Sequence, residues 1–248
     1  MSKKINILLI SAFFLSFVFC GCTSAKIPYP GIKNPPVESF VKVFNTVEVF
    51  SCKNKKDKNC PIGSRISVGS GMAAAVVKDK MTVLTSGHVC DVMVTDAIDN
   101  YTQTLQVLDK NNVLHQAWPV VISHGNGLGS VDACVLWVPT LAVKKIPISK
   151  TGPTIGNELY YIGAPAGIYH PPTVLIFKGI YSGQVDASSS LVSFPAKGGA
   201  SGSAVFDTNN KIVGLIWGVN SAFEHATMVT NYKAFLIFIK SAQEKLIE

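Results

Sequence analysis

The sequence predicts an all-β protein closed by a single C-terminal helix, and three observations lead there. About a dozen short runs rich in β-branched and other apolar residues recur along the chain, each broken by Gly, Pro, Asn or Asp, which implies a barrel or a sandwich. Hydrophobic residues make up 48% of the 248 residues and charged residues only 15%, a balance that favours a packed core over disorder. Only the last stretch, Tyr232 to Glu248, has helical spacing: Phe235, Leu236, Phe238, Ile239 and Leu246 alternate with lysines, and Asn231 stands ready to cap it. The length suits one sizeable domain or two small packed barrels sharing an interface.

From the start of the chain, Lys3 and Lys4 precede an apolar run from Ile5 to Cys20 and then small, polar residues. That run is shorter than the ~20 residues a spanning helix needs, so residues 1–25 are expected to be a cleaved export signal. Gly21-Cys22 resembles a lipobox, in which Cys22 would become the lipidated N-terminus, although Phe19 departs from the usual aliphatic residue. Cleavage after Ala25 would instead release a soluble protein. The expectation is export to the periplasm, the outer membrane or the medium, with membrane contact only through the lipid. Residues 26–44 read as a connector, with four of the chain's 13 prolines between Lys26 and Pro36 and a short helical turn over Val37 to Phe44.

Residues 45–248 are expected to form the folded domain. Its strand candidates are Val47 to Phe50, Ile66 to Val77, Met81 to Leu84, Thr104 to Leu108, Ala117 to Ile122 and Ala133 to Val138. They continue with Leu159 to Ile162, Val174 to Lys178, Leu191 to Phe194, Ser203 to Phe206, Ile212 to Trp217 and Thr227 to Val229.

The formal charge is +7, but of 22 basic residues only Arg65 is an arginine, and several lysines cluster between Lys53 and Lys58. No arginine-aromatic interleaving accompanies them, which argues for a solvated basic surface and against nucleic-acid binding. Setting aside Cys20 and Cys22 leaves four of the six cysteines, an even number in a chain expected to leave the cytoplasm. Of the three pairings we favour Cys52 with Cys60 and Cys90 with Cys134, which would stabilise by about 2–3 and about 4 kcal/mol on the chain-entropy account. No CxxC and no nearby histidine pair supports a metal site, and no cofactor is expected.

Three segments carry chemistry. Val83-Leu84-Thr85-Ser86-Gly87-His88-Val89 is an apolar strand ending in a small-residue turn that presents a histidine. Val131 to Trp137 places Asp132 at the head of an apolar strand, where a carboxylate is costly without a partner. Gly198-Gly199-Ala200-Ser201-Gly202-Ser203 is a glycine-rich turn running into a strand. Acyl transfer at a peptide bond needs a nucleophile, a base, an orienter and backbone donors for the oxyanion, and Ser201, His88, Asp132 and the Gly199 and Ser201 N–H groups can supply them. Each segment alone is weak; the order His, Asp, Ser is what gives them weight.

These segments resemble those of trypsin-like serine peptidases, and most of all the HtrA-like and glutamyl-endopeptidase-like branches. Gly69-Ser70-Gly71, Thr85 to Val89, Ile162 to Gly167 and Gly199 to Val205 match that pattern in order, over roughly residues 45 to 240. The resemblance implies two packed six-stranded β-barrels with the C-terminal helix, His88 and Asp132 on the first barrel and the site in the cleft. It also implies a serine endopeptidase acting on protein or peptide substrates, with no PDZ module expected after the helix. Ala200 replaces the aspartate that pairs with a freed N-terminus in digestive enzymes, which speaks against activation by that switch. Ser203, replacing a glycine, is a second candidate nucleophile. Trp217 and Gly218 are expected to pair with the substrate backbone. Pro195 is expected near the base of the primary pocket, where the lack of a carboxylate disfavours Lys or Arg. His225 could bind an acidic side chain or simply face water. Two other readings remain: a catalytically silent trypsin-like fold acting as an exported binding module, and a lipid-anchored structural lipoprotein. Oligomeric state is not legible.

Overall fold

Strand-forming runs separated by turn residues close here into two antiparallel barrels. The structure is a computed structural model and describes residues 31–53, 62–91, 97–125 and 130–247. The first barrel comprises β1 (Phe40–Cys52), β2 (Gly63–Ala74), β3 (Thr82–Thr85), β4 (Ile98–Leu108), β5 (Leu114–His124) and β6 (Asp132–Trp137), in the order β1-β2-β3-β6-β5-β4. The second comprises β7 (Glu158–Gly163), β8 (Leu175–Gln184), β9 (Ser189–Val192), β10 (Ala204–Phe206), β11 (Ile212–Asn220) and β12 (Phe223–Thr230), in the order β10-β11-β12-β9-β8-β7. A one-turn helix, α1 (Gly87–Cys90), follows β3, and α2 (Tyr232–Ile247) follows β12.

Every strand expected from the sequence coincides with one of these. The helical turn expected over Val37 to Phe44 does not extend that far: a 3-10 turn covers only Val37–Ser39, and β1 begins at Phe40. Pairing decides this, because Phe40 sits opposite Met72 and Val43 opposite both Gly69 and Val107, so the segment is gripped by two strands at once. The signal, Cys22 and Cys60 lie outside the described residues.

Several strands read as unbroken apolar runs because both of their faces are covered. Val83, Cys134 and Leu136 fill the first barrel together with Val41, Val43 and Val107. Leu159 and Tyr161 fill the second with Val192, Phe194 and Val229. The alternate residues Leu84, Val135, Tyr160 and Ile162 meet Met72, Phe206 and Leu215 in a third cluster between the barrels. The inner face of α2, with Phe235, Phe238, Ile239 and Leu246, packs into that same cluster. Asn231 Oδ1 accepts the N–H groups of Lys233 and Ala234, so the expected cap is formed.

Candidate active site

The histidine turn is built on the end of β3. Ser86 leaves the strand in an extended conformation and α1 lifts His88 out of it, with Val89 and Cys90 buried as anchors. The carbonyls at the end of this short helix are met by side chains: Asn45 donates to Val89 and Asp91, and Gln103 to Cys90. Asp132 opens β6 beneath the ring. Its Oδ2 lies 2.5 Å from His88 Nδ1 and its Oδ1 accepts the His88 backbone N–H at 2.9 Å. The carboxylate is largely covered, with 13% of its side chain exposed against 42% for the histidine. A Cys90–Cys134 disulfide binds the two elements, as expected. Cys52 is also disulfide-bonded.

The serine turn comes from the second barrel. Ala200 N–H closes on Lys197 O with Gly199 at φ +94, the conformation a type II turn asks of its third residue. Gly202 has φ +85, and a Cβ there would stand 2.1 Å from Thr85 Oγ1 and 2.2 Å from Ser70 O, so only glycine lets this turn lie against the end of β3. One carbonyl joins the two turns: Ile216 O accepts both Ser86 Oγ–H and Gly202 N–H, each at 2.7 Å. Ser201 is half-buried, and no hydrogen bond joins its hydroxyl to the His88 ring among the described residues. Neither Gly199 N–H nor Ser201 N–H finds an acceptor among the described residues, whereas the intervening Ala200 N–H is used.

Residues 69–215 match the trypsin-like peptidase domain. The chain belongs to the trypsin-like peptidase family. Among solved structures, the trypsin-like fold of the chain is similar to a serine endoprotease from Yersinia pestis. The TM-score is 0.60 at 19% identity over 84% of this chain and 64% of that one, so the chain spans less than two thirds of that protein. It is similar as well to the Rv3671c protease from M. tuberculosis: to the active form with TM-score 0.60 at 16% identity over 84% of each chain. The inactive form of that protease gives 0.57 at 14% identity over 84% and 90%. These likenesses are of fold. No curated protein sequence matches the chain.

Within the trypsin-like domain, Trp217 and Gly218 are half-buried on β11, beside the carbonyl that joins the two turns. The Pro195 carbonyl accepts the Tyr161 hydroxyl at 2.7 Å; burial pushes that phenol well above its ordinary pKa, which keeps the proton on it. His225 is exposed on β12, its ring tilted against Phe223 at 5.7 Å. Ser203 is fully buried and its hydroxyl is packed against Gly163, which shuts it away from solvent as a nucleophile.

Two features escaped the sequence reading. A cavity of about 300 Å³ opens beside His88, lined by Val47, Val49, Ile66 and Ile98 with Arg65 and Asp91 also on its wall. Small residues also grip the serine turn. Ser70 N–H donates to Ser201 O at 2.8 Å and Ser70 Oγ to Gly199 O at 2.8 Å, while Ala166 N–H donates to Gly198 O at 2.7 Å. The only sequence signal for them was small residues inside Gly69-Ser70-Gly71 and the Ile162 to Gly167 loop.

Proposed function

We propose that the chain is a serine endopeptidase with Ser201 as nucleophile, His88 as general base and Asp132 as orienter. The observation that carries this reading is the double contact between Asp132 and His88. With Nδ1–H given to the carboxylate, the lone pair of Nε2 is left to take a proton. Ser201 Oγ then attacks the substrate carbonyl carbon as its proton passes to Nε2. The oxyanion that forms meets the free N–H groups of Gly199 and Ser201. His88 passes that proton to the leaving amine as the C–N bond breaks. Water attacks the resulting ester, giving its proton to the imidazole, and as the ester C–O bond breaks His88 returns that proton to Ser201 Oγ and the acid product leaves. The substrate backbone pairs along Trp217 and Gly218 as an added strand.

Labelling of the purified protein by a fluorophosphonate, abolished in Ser201→Ala, is the expected result; folded protein that resists the reagent would refute the reading. Export to an oxidising compartment is proposed alongside it, supported by the Cys90–Cys134 disulfide. Mass spectrometry of the mature N-terminus separates lipidated Cys22 from cleavage after Ala25, and an uncleaved Met1 would exclude both.

A further inference from the structure

An oxyanion site is only as good as the orientation of its donors, and here each donor belongs to a peptide unit whose carbonyl is held from the other side. In a trans peptide the C=O and N–H point opposite ways. Ala166 N–H holds the Gly198 carbonyl at 2.7 Å, which turns the Gly199 N–H the other way, and Ser203 N–H holds the Ala200 carbonyl at 2.9 Å, which does the same for Ser201 N–H. The unit between them, made of the Gly199 carbonyl and the Ala200 N–H, is held by Ser70 Oγ–H at 2.8 Å on its carbonyl and by Lys197 O at 2.9 Å on its N–H.

This middle hold matters because Gly199, with no Cβ, lets the peptide planes on either side of it turn, and a flip of the Gly198-Gly199 plane, which adjoins the Gly199-Ala200 plane that Ser70 holds, would aim a carbonyl where the donor should be. Ser70 is fully buried on β2, and its hydroxyl is used twice: it donates to Gly199 O and accepts the Ala164 N–H at 2.9 Å. Its own N–H takes Ser201 O, and its carbonyl accepts Thr85 Oγ1–H at 2.7 Å. One residue of the first barrel thus touches the strand leading to His88, the serine turn and the Ala164–Gly167 loop. That loop in turn supplies the Ala166 N–H, with Ala166 in the left-handed region at φ +54.

We propose that Ser70 is a positioning residue: through the Gly199 carbonyl and the Ala164 N–H, its hydroxyl fixes the Gly199-Ala200 peptide, the unit between the two donor-bearing ones, so that the oxyanion donors on either side face the reacting carbonyl. This rests on the peptidase reading and deepens it. Removing the hydroxyl leaves the half-buried Gly199 carbonyl and the buried Ala164 N–H without this partner and loosens the turn at Gly199, while the contact between His88 and Asp132 is untouched.

The test compares full-length Ser70→Ala and Ser70→Cys with wild type and with Thr82→Val, which removes an equally buried hydroxyl bonded to Ala74 O, away from the serine turn. Ser70→Ala is expected to lower kcat on a peptide ester about 10- to 100-fold with KM nearly unchanged, a fraction of the ~10²–10³ that losing a whole donor costs. Affinity for a peptide aldehyde, whose hemiacetal oxygen needs the same donors, should fall in step. The shape of the pH profile should not change, Ser70→Cys should fall between, and Thr82→Val should keep wild-type kcat. Unchanged kcat and aldehyde affinity in Ser70→Ala, or an equal loss in Thr82→Val, overturns the proposal. A structure of Ser70→Ala gives a readout independent of turnover. A reoriented Gly199 carbonyl or Gly198-Gly199 peptide supports the brace and a turn unmoved at both overturns it, even if wild-type protein proves inactive and the peptidase reading itself fails.

Discussion

His88 offers Asp132 both its ring and its backbone: Nδ1 lies 2.5 Å from Oδ2 and the main-chain N–H 2.9 Å from Oδ1. The carboxylate therefore fixes the rotation of the imidazole and also the turn that carries it. Asp132→Asn keeps the shape but can present an N–H to Nδ1, favouring the tautomer that has its hydrogen on Nε2. The expected loss in kcat on a peptide ester is about 10⁴-fold. A loss of less than about tenfold would remove Asp132 from the mechanism.

Acid should stop the reaction by a different route. In the proposed mechanism an imidazole that carries a second proton cannot accept one from Ser201, so kcat/KM should decline on acidification while the fold persists. Hydrolysis that stays level as pH falls, with unchanged circular dichroism, would count against His88 as the base.

Cys90 and Cys134 follow His88 and Asp132 by two positions each, so their disulfide pins the elements that carry the proposed base and its orienter to one another. Cys90→Ser with Cys134→Ser should lower unfolding free energy in urea by about 4 kcal/mol on the loop-entropy account. Activity should fall further than that of an equally destabilised variant elsewhere. A double variant with wild-type stability would show that the bond constrains neither state.

Asp109 governs a separate pH effect. Burial pushes its carboxyl up, but the N–H groups of Val113 and Asn111 and the His115 ring outweigh that and hold it below its ordinary value. A carboxyl lowered in the folded state stabilises above its unfolded pKa, and that contribution disappears as pH falls through the folded value. Asp109→Asn should cost about 1–3 kcal/mol at neutral pH and flatten the acid limb of stability. An unaltered acid limb in urea titrations would exclude Asp109 as its source.

The cavity beside His88 should select among substrates. Val49 and Ile98, 2% and 6% exposed, give it an apolar floor suited to an aliphatic or aromatic side chain. Val47→Trp should fill it and reduce cleavage of peptides bearing a large apolar residue next to the scissile bond by about tenfold relative to their glycine counterparts. An unchanged library profile would show that the cavity takes no part.

What could be read beforehand follows a physical line. Strands were legible because β-branched runs and turn residues are local, and α2 because its apolar spacing is. β1 was misjudged at its start because Phe40 and Val43 take their conformation from partners in β2 and β4, which no window of neighbouring residues contains. Ser203 stood as a second nucleophile until its burial against Gly163 was known.

By itself the sequence determined where the strands and the terminal helix lie, the order of His88, Asp132 and Ser201, and the glycines that let a turn face a strand end. Only the tertiary structure decided how the serine turn is held. Ser70 reaches Gly199 across 129 residues and Ala164 across 94, and a serine that braces a peptide plane has the same letter as one facing water. Hydroxyl hydrogen bonds are short-ranged and directional, so their partners exist only once both barrels have closed.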